Sequence, residues 1–255
     1  MKISTCIITR NEEDNLPRCL QSVATLSDEI IIIDSGSTDR TKFIATEFNA
    51  RFITHEWEGY VGQKNFACSK AKHDWILSID ADEEVSPDLS QSILEVKNSQ
   101  QATELTGYDM VRVVRFMDTW IRFGDWYPDL LVRLFKKEAA HFEGGRVHER
   151  LVIEGTTSRL EGELYHYTYR DWEDQKQRVS HYASLWAQDA REKGKASTPL
   201  SPLTHSLWRL IRSYLIKGGW KGGALGWKLA VAQAHETYLK YKELRKFSLD
   251  VSESQ

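Results

Sequence analysis

Four carboxylates fall within five residues at the end of one apolar run. Trp75 to Pro87 reads WILSIDADEEVSP, with Asp80, Asp82, Glu83 and Glu84 directly behind a strand-like segment. Carboxylates packed this closely repel one another, and desolvating them costs on the order of several kcal/mol unless a cation sits between them. Asp80 and Asp82 flank a single small residue, a spacing that lets oxygens of both approach one ion. All-oxygen ligation suits Mg2+ or Mn2+, and such an ion keeps positions open for a substrate diphosphate. The competing reading is a solvated acidic turn in which Glu83, Glu84 and Asp88 favour a helix N-terminus. Glu83 and Glu84 are assigned to that turn.

Other polar groups interrupt apolar runs in the same way. Asn11-Glu12 follows Ile3 to Thr9, and Asp34-Ser35-Gly36 follows the β-branched run EIIIID from Glu29. Further along, Trp126 and Tyr127 offer flat faces for a sugar, or ordinary core aromatics. His148 and His166 are candidates for a metal or phosphate, or hydrogen-bonded structural residues. Arg133 alternates with Leu131, Val132 and Leu134, so it points either toward a phosphate in a cleft or to solvent.

The elements that must position these groups follow from hydrophobic period. Ile3–Thr9, Glu29–Asp34, Arg51–His55 and Trp75–Ile79 read as strands, and the near-continuous apolar runs suit a parallel sheet buried on both faces. Between them, Leu16, Cys19, Leu20 and Val23, then Phe43, Ile44 and Phe48, then Gln63–Lys72, carry helical spacing. Ser86-Pro87 supplies an N-cap and a first-turn proline for another helix. Alternating strands and helices predict a doubly wound, Rossmann-like α/β sheet that binds ligands beyond the carboxyl ends of its strands. All three polar strand ends would then line one rim.

From Gly107 the runs VRVVRF, LLVRLF and RLVIEG predict strands or a ribbon beside that first half. Asp171–Lys193 reads as a helix, Gly194–Pro202 as a linker, and the rest as helix broken at Gly218-Gly219 and Gly222-Gly223. The expected divisions are 1–100, 101–170 and a helical extension over 171–255.

The chain has 255 residues and a formal charge of −3, with 41% hydrophobic content, enough for a sizeable core. The bland total conceals an asymmetry. His205 to Lys246 holds nine Lys/Arg against two Asp/Glu, leaving 25 basic and 35 acidic residues elsewhere. Cys6, Cys19 and Cys68 are odd in number and lack CxxC spacing, so neither disulfides nor a zinc site is expected and a cytoplasmic location is. The opening run is too short for a signal peptide and no stretch reaches the length of a membrane span.

Taken together, ITRNEE, DSGSTD, QKNFACSKAKHDW and the DAD of SIDADE, in this order, resemble inverting glycosyltransferase family 2, whose members share a GT-A fold; the resemblance implies a nucleotide-sugar-binding half over 1–100 and an acceptor-binding half over 101–170. DWYPDLLVRLFK, GGRVHE, YHYTYRDWEDQ and the Gly-broken basic tail resemble the lipopolysaccharide and lipooligosaccharide core β-1,4-glucosyltransferases. The resemblance implies uracil and ribose contacts at Thr9, Glu12 and Asp34, a base or diphosphate contact at Lys64, and Asp80 near the ribose and metal. It makes Asp82 the main ligand of a divalent Mg or Mn ion. Lys64 stands where many relatives carry Arg.

A direct displacement at the anomeric carbon needs a carboxylate to take the acceptor proton. Glu149 in GGRVHE is the candidate base by resemblance, with Asp125 and Asp129 as rivals and an ion pair to Arg146 or Arg150 as the alternative role. The implied activity moves a hexose, glucose from a UDP-sugar donor, onto a heptose of a lipid A-core acceptor. Other acceptors, including polyprenyl phosphate, a phosphohydrolase using the acidic motif, and a non-catalytic sugar-nucleotide binder are the alternatives. Leu207, Trp208, Ile211, Leu215 and Ile216 beside Arg209, Arg212 and Lys217, then Trp220, Leu225 and Trp227 around Lys221 and Lys228, suit an interfacial helix pair on an anionic leaflet. The expected placement is peripheral, on the cytoplasmic face of the bacterial inner membrane. No nucleic-acid motif accompanies these basic residues.

Overall fold

A computed structural model describes residues 1–99, 104–145, 149–169 and 172–252. The apolar runs near the N-terminus form β1 (Ile3–Thr9), β2 (Glu29–Asp34), β3 (Arg51–Thr54) and β4 (Trp75–Asp80). Between them lie α1 (Leu16–Val23), α2 (Thr41–Glu47) and α3 (Gly59–Lys70). A short β5 (Glu83–Val85) precedes α4 (Pro87–Asn98), which Ser86 caps by accepting the Leu89 N–H at 3.2 Å. Then come β6 (Leu105–Phe116), β7 (Thr119–Ile121), β8 (Asp129–Lys136), β9 (Ala140–Gly144), β10 (Glu149–Ile153) and β11 (Thr156–Tyr169).

The main sheet runs β3-β2-β1-β4-β8-β6-β11-β5, while β9 and β10 form a separate antiparallel ribbon. The half from β3 to β4 is parallel and β8 joins it antiparallel, so the sheet is mixed. Alternation along each strand divides the core between its faces. Ile3, Ile7 and Ile32 pack with Leu16, Leu20 and Ile93 on one face; Cys6, Ile31, Ile33 and Ile76 pack with Ala67 of α3 on the other. Phe43 departs from its expected inward position: it is more than half exposed, with the Arg40 guanidinium over its ring, because Ile44 and Ala45 form the inner face of α2.

The chain divides into two compact units. The first holds the strands just described as far as Val114, β8, the ribbon and most of β11. The second is built from Arg115–Pro128 and the segment from Tyr169 onward. In it lie α5 (Trp172–Glu192), α6 (Ser201–Ile211), a π-helical turn at Arg212–Ile216, a 3-10 turn at Gly219–Gly222 and α7 (Gly223–Ser252). The helix therefore breaks where the glycine pairs stand. These glycines let backbones touch: a Cβ on Gly226 would lie 1.8 Å from the Gly219 carbonyl oxygen, and one on Gly222 2.3 Å from the Phe123 ring. Phe116, Ile121 and Leu229 form the small core here, with Trp126 and Leu225 packed on it. Leu225 thus belongs to the inner side of the tail and not to its outer stripe. Among the described residues no helix is long and apolar enough to cross a membrane.

Candidate active site

Because β2, β1 and β4 are parallel neighbours, their carboxyl ends meet on one edge, with Thr9 opposite Asp34 and Ile8 opposite Asp80. The first two strand ends are zipped together. The Asn11 N–H donates to Ser37 Oγ at 2.8 Å and the Thr38 N–H to Asn11 Oδ1 at 2.8 Å, with Asn11 held at φ 57°. Asp34 is 2% exposed, and its carboxylate serves this turn. Oδ1 accepts from Thr9 Oγ1 at 3.0 Å and from Ser37 Oγ; Oδ2 accepts the N–H groups of Gly36 at 2.9 Å and Ser37 at 2.8 Å. Glu12 receives Asn15 Nδ2 at 2.9 Å, and its N–H donates to Thr41 Oγ1 at 2.9 Å.

At the third strand end the acids are interleaved with cations. Lys64 Nζ on α3 lies 2.8 Å from Asp80 Oδ1 and 2.9 Å from Glu149 Oε1. Arg133 on β8 spans Asp80 Oδ2 at 2.9 Å and Glu83 Oε1 at 2.7 Å. Arg112 on β6 spans the same Glu83 oxygen at 3.2 Å and Asp129 at 2.8 Å. The result is an alternating series, Glu149, Lys64, Asp80, Arg133, Glu83, Arg112, Asp129, all within the first unit. Burial alone would raise the Asp80 carboxyl, but Lys64 and Arg133 outweigh it and hold the group well below the usual carboxylate range. Burial likewise opposes the Arg133 charge, and Glu83 and then Asp80 more than reverse that effect.

Glu83 overturns its expected role. Its side chain is completely buried, and beyond the two arginines its Oε2 accepts the Asp80 N–H at 3.0 Å. The reason is the pleat of β5, which turns Glu83 and Val85 inward and Glu84 outward. Glu84 meets the Tyr167 hydroxyl at 2.5 Å and Arg18 at 3.7 Å. The sequence signal for the buried partners was the same alternation that places Arg112 and Arg133 among apolar neighbours; nothing local paired them with Glu83.

Asp82 stands apart from that series. Its Oδ2 lies 3.3 Å from His166 Nε2 on β11, and His166 Nδ1 lies 2.9 Å from Thr168 Oγ1. When Nδ1 carries the ring hydrogen and donates it to Thr168, Nε2 presents a lone pair toward the same space as the Asp82 oxygen. One carboxylate and one oriented imidazole fit Mn2+ or Mg2+ with most positions left to diphosphate and water. Among the described residues no set of three such side chains converges.

Arg133 is 5% exposed and committed to Asp80 and Glu83, so it neither faces solvent nor stands free, although its buried Nε has no hydrogen-bond partner. Trp126 packs edge-on against Phe116 at 5.8 Å in the second unit. Asp125 in that unit is held by Arg212 and by Arg209 at 3.4 Å. His148 and Arg146 lie outside the described residues. Glu149 pairs with Lys64, whereas Arg150 pairs with Glu143. Asn65, unremarked in the sequence, grips the ribbon that carries Glu149: its Nδ2 donates to the Phe142 carbonyl and its Oδ1 accepts the Phe142 N–H, both at 2.8 Å.

The mixed sheet with its acidic rim at the ends of parallel strands defines an α/β enzyme of GT-A-like architecture. The chain belongs to glycosyl transferase family 2, whose model matches residues 4–150, more than half its length. It is a glycosyltransferase. An uncharacterised glycosyltransferase of Rickettsia typhi is 31% identical over 263 residues, covering 97% of this chain and 88% of that protein. The lipopolysaccharide core biosynthesis glycosyltransferase LpsC of Rhizobium meliloti is 28% identical over 251 residues, covering 94% and 90%. Glucosyl-3-phosphoglycerate synthase from Mycobacterium tuberculosis, solved with Mn2+, UDP and glucosyl-3-phosphoglycerate, is 21% identical and covers 45% of this chain and 44% of its own, with a TM-score of 0.36.

Proposed function

We propose that the protein transfers glucose from UDP-glucose, with inversion, to a heptose of a lipid A-core acceptor in lipopolysaccharide core assembly. The observation that carries this reading is the pairing of two unlike groups beside one strand end. Asp82 and His166 lie 3.3 Å apart, and Glu149 is tied through Lys64 to Asp80 two residues away. The likeness to LpsC over nearly the whole chain supports a lipopolysaccharide core acceptor.

Asp82 and His166 would hold Mg2+ or Mn2+, which supplies positive charge against the departing diphosphate. Thr9, Glu12 and Asp34 shape the nucleoside side of the rim, with Asp80 toward the ribose. Glu149 takes the proton of the acceptor hydroxyl as that oxygen forms its bond to the anomeric carbon. The bond from that carbon to the diphosphate oxygen breaks on the opposite side, and UDP leaves with the electron pair. Lys64, shared with Asp80, fixes one oxygen of Glu149 and places its charge beside both carboxylates. Arg133 is reserved for Asp80 and Glu83. With a lipid-anchored acceptor, the reaction belongs at the cytoplasmic face of the inner membrane.

The test is a panel of nucleotide sugars incubated with Mn2+ or Mg2+ and followed for UDP release with and without a truncated core acceptor. Acceptor-dependent release from UDP-glucose is expected; release from another donor, or with another glycan or polyprenyl phosphate, replaces that part of the proposal. Asp82→Ala should abolish the dependence of UDP binding on added Mn2+, measured by calorimetry. Retention of that dependence would remove Asp82 as ligand. Glu149→Gln should lower turnover by at least ~10²-fold while donor affinity stays near wild type, and near-normal turnover would eliminate it as the base.

A further inference from the structure

The second unit leaves an unusual amount of apolar surface uncovered. Of the large hydrophobic side chains that are exposed, most fall between Leu200 and Val231, and at the turn of the hairpin Leu215, Ile216 and Trp220 are 59%, 61% and 55% exposed. Leu203, Leu207, Trp208, Ile211 and Trp227 continue the surface along α6 and α7. Isolated exposed hydrophobics need no explanation, whereas a concentration of this kind marks an interaction surface.

The charges around it identify the partner. Between 200 and 231 there are five Lys/Arg and no Asp or Glu. Two of the five turn inward: Arg209 and Arg212 hold Asp125, whose side chain is only 3% exposed. Lys217, Lys221 and Lys228 are exposed beside the apolar residues. A second copy docked face to face would oppose lysines to lysines, because the surface has no acid of its own. A bilayer bearing anionic lipid meets both requirements, accepting the Trp and Leu side chains at its interface and the lysines at its headgroups.

The surface is also built in advance. The Asp125 ion pairs fix the π-helical turn, and the touching backbones of Gly219 and Gly226 close the hairpin, so Leu215, Ile216 and Trp220 stay outward without any folding step. We infer that the α6–α7 hairpin is a preformed docking surface for anionic membranes, with Leu215, Ile216 and Trp220 as its apolar tip and Lys217, Lys221 and Lys228 as its charge contacts. The lipid-anchored acceptor explains why such a surface would exist, and in that respect the inference rests on the function proposed above; its test uses no acceptor and no donor.

The full chain is sedimented with phosphatidylcholine vesicles containing or lacking phosphatidylglycerol, while tryptophan emission is recorded. Binding to the anionic vesicles with a blue shift is expected, and weak binding to the neutral ones. Replacing Lys217, Lys221 and Lys228 together by Gln should weaken binding on the order of 10²-fold, at about a factor of five per lysine. The triple Leu215→Ser, Ile216→Ser, Trp220→Ser variant should lose both binding and the blue shift, with the circular dichroism spectrum unchanged in each variant. Three results would overturn the inference: no binding to anionic vesicles, equal binding to neutral ones, or binding that survives both variants. A solution dimer that the serine variant dissociates without altering vesicle binding would assign the surface to a second copy.

Discussion

Glu83 lies fully out of water and faces two guanidinium groups, Arg112 and Arg133. A buried charge of this kind adds little net stability when paired, but removing it strands its partners. Glu83→Gln should therefore destabilise the protein by about 3–5 kcal/mol. Its neighbour Glu84, which is partly exposed and bound to Tyr167 and Arg18, should lose only about 1 kcal/mol on the same change. Equilibrium urea unfolding of the two variants measures the difference, and equal losses would contradict the buried series. The acidic run itself was plain in the sequence, and so was the chemistry it suggests. Which of its members face inward was not, because that depends on a three-residue strand pairing with β11 some 80 residues away. Lys64 was singled out as a base or diphosphate contact by resemblance; its division between Asp80 and Glu149 arises from two contacts that no local spacing encodes.

Among the elements, β1 and β2 are lashed at their start as well as at their carboxyl ends. Asp28 accepts the Ile3 N–H at 2.9 Å and pairs with Lys97 at 2.8 Å; Glu29 accepts the Lys72 N–H and Ser4 Oγ, each at 2.9 Å. Burial would raise both carboxyls, but these donors lower them overall. Since the folded values lie below the unfolded ones, the stabilisation is complete above the unfolded values near pH ~4 and is lost as the pH falls through the folded values. The double Asp28→Asn, Glu29→Gln variant should lie below wild type at neutral pH and approach it in acid, with the gap closing below about pH 4. Thermal unfolding followed across that range checks the convergence. Strands β1 and β2 were readable to the residue, because continuous β-branched runs between turn signals have few alternatives. The ribbon β9–β10 was readable only in its second strand: AHFEG carries too weak an alternation to announce its partner. In the tail, Gly226→Ala should destabilise the second unit, since the added carbon meets the Gly219 carbonyl and neither backbone can yield without moving the hairpin.

For the molecule as a whole, charge is segregated along the chain, with the acidic excess outside His205–Lys246 and the basic excess within it. Such a distribution makes association with an anionic surface sensitive to screening, because the Debye length falls from about 30 Å at 0.01 M to about 8 Å at physiological ionic strength. Vesicle binding should accordingly decline as salt is raised while the apolar tip retains a residual share, a split that a salt titration of the sedimentation assay resolves. Salt-independent binding would point to apolar contact alone.

Lys64 and Asn65, adjacent on α3, each reach the β9–β10 ribbon, one at the Glu149 carboxylate and the other at the Phe142 peptide. Anyone building chimeras that exchange the β9–β10 ribbon between relatives would cut within β9 or β10 and find the seam already occupied. Helix α3 supplies the clasp, so the transplanted ribbon must bring residues that fit Lys64 and Asn65 or arrive out of alignment.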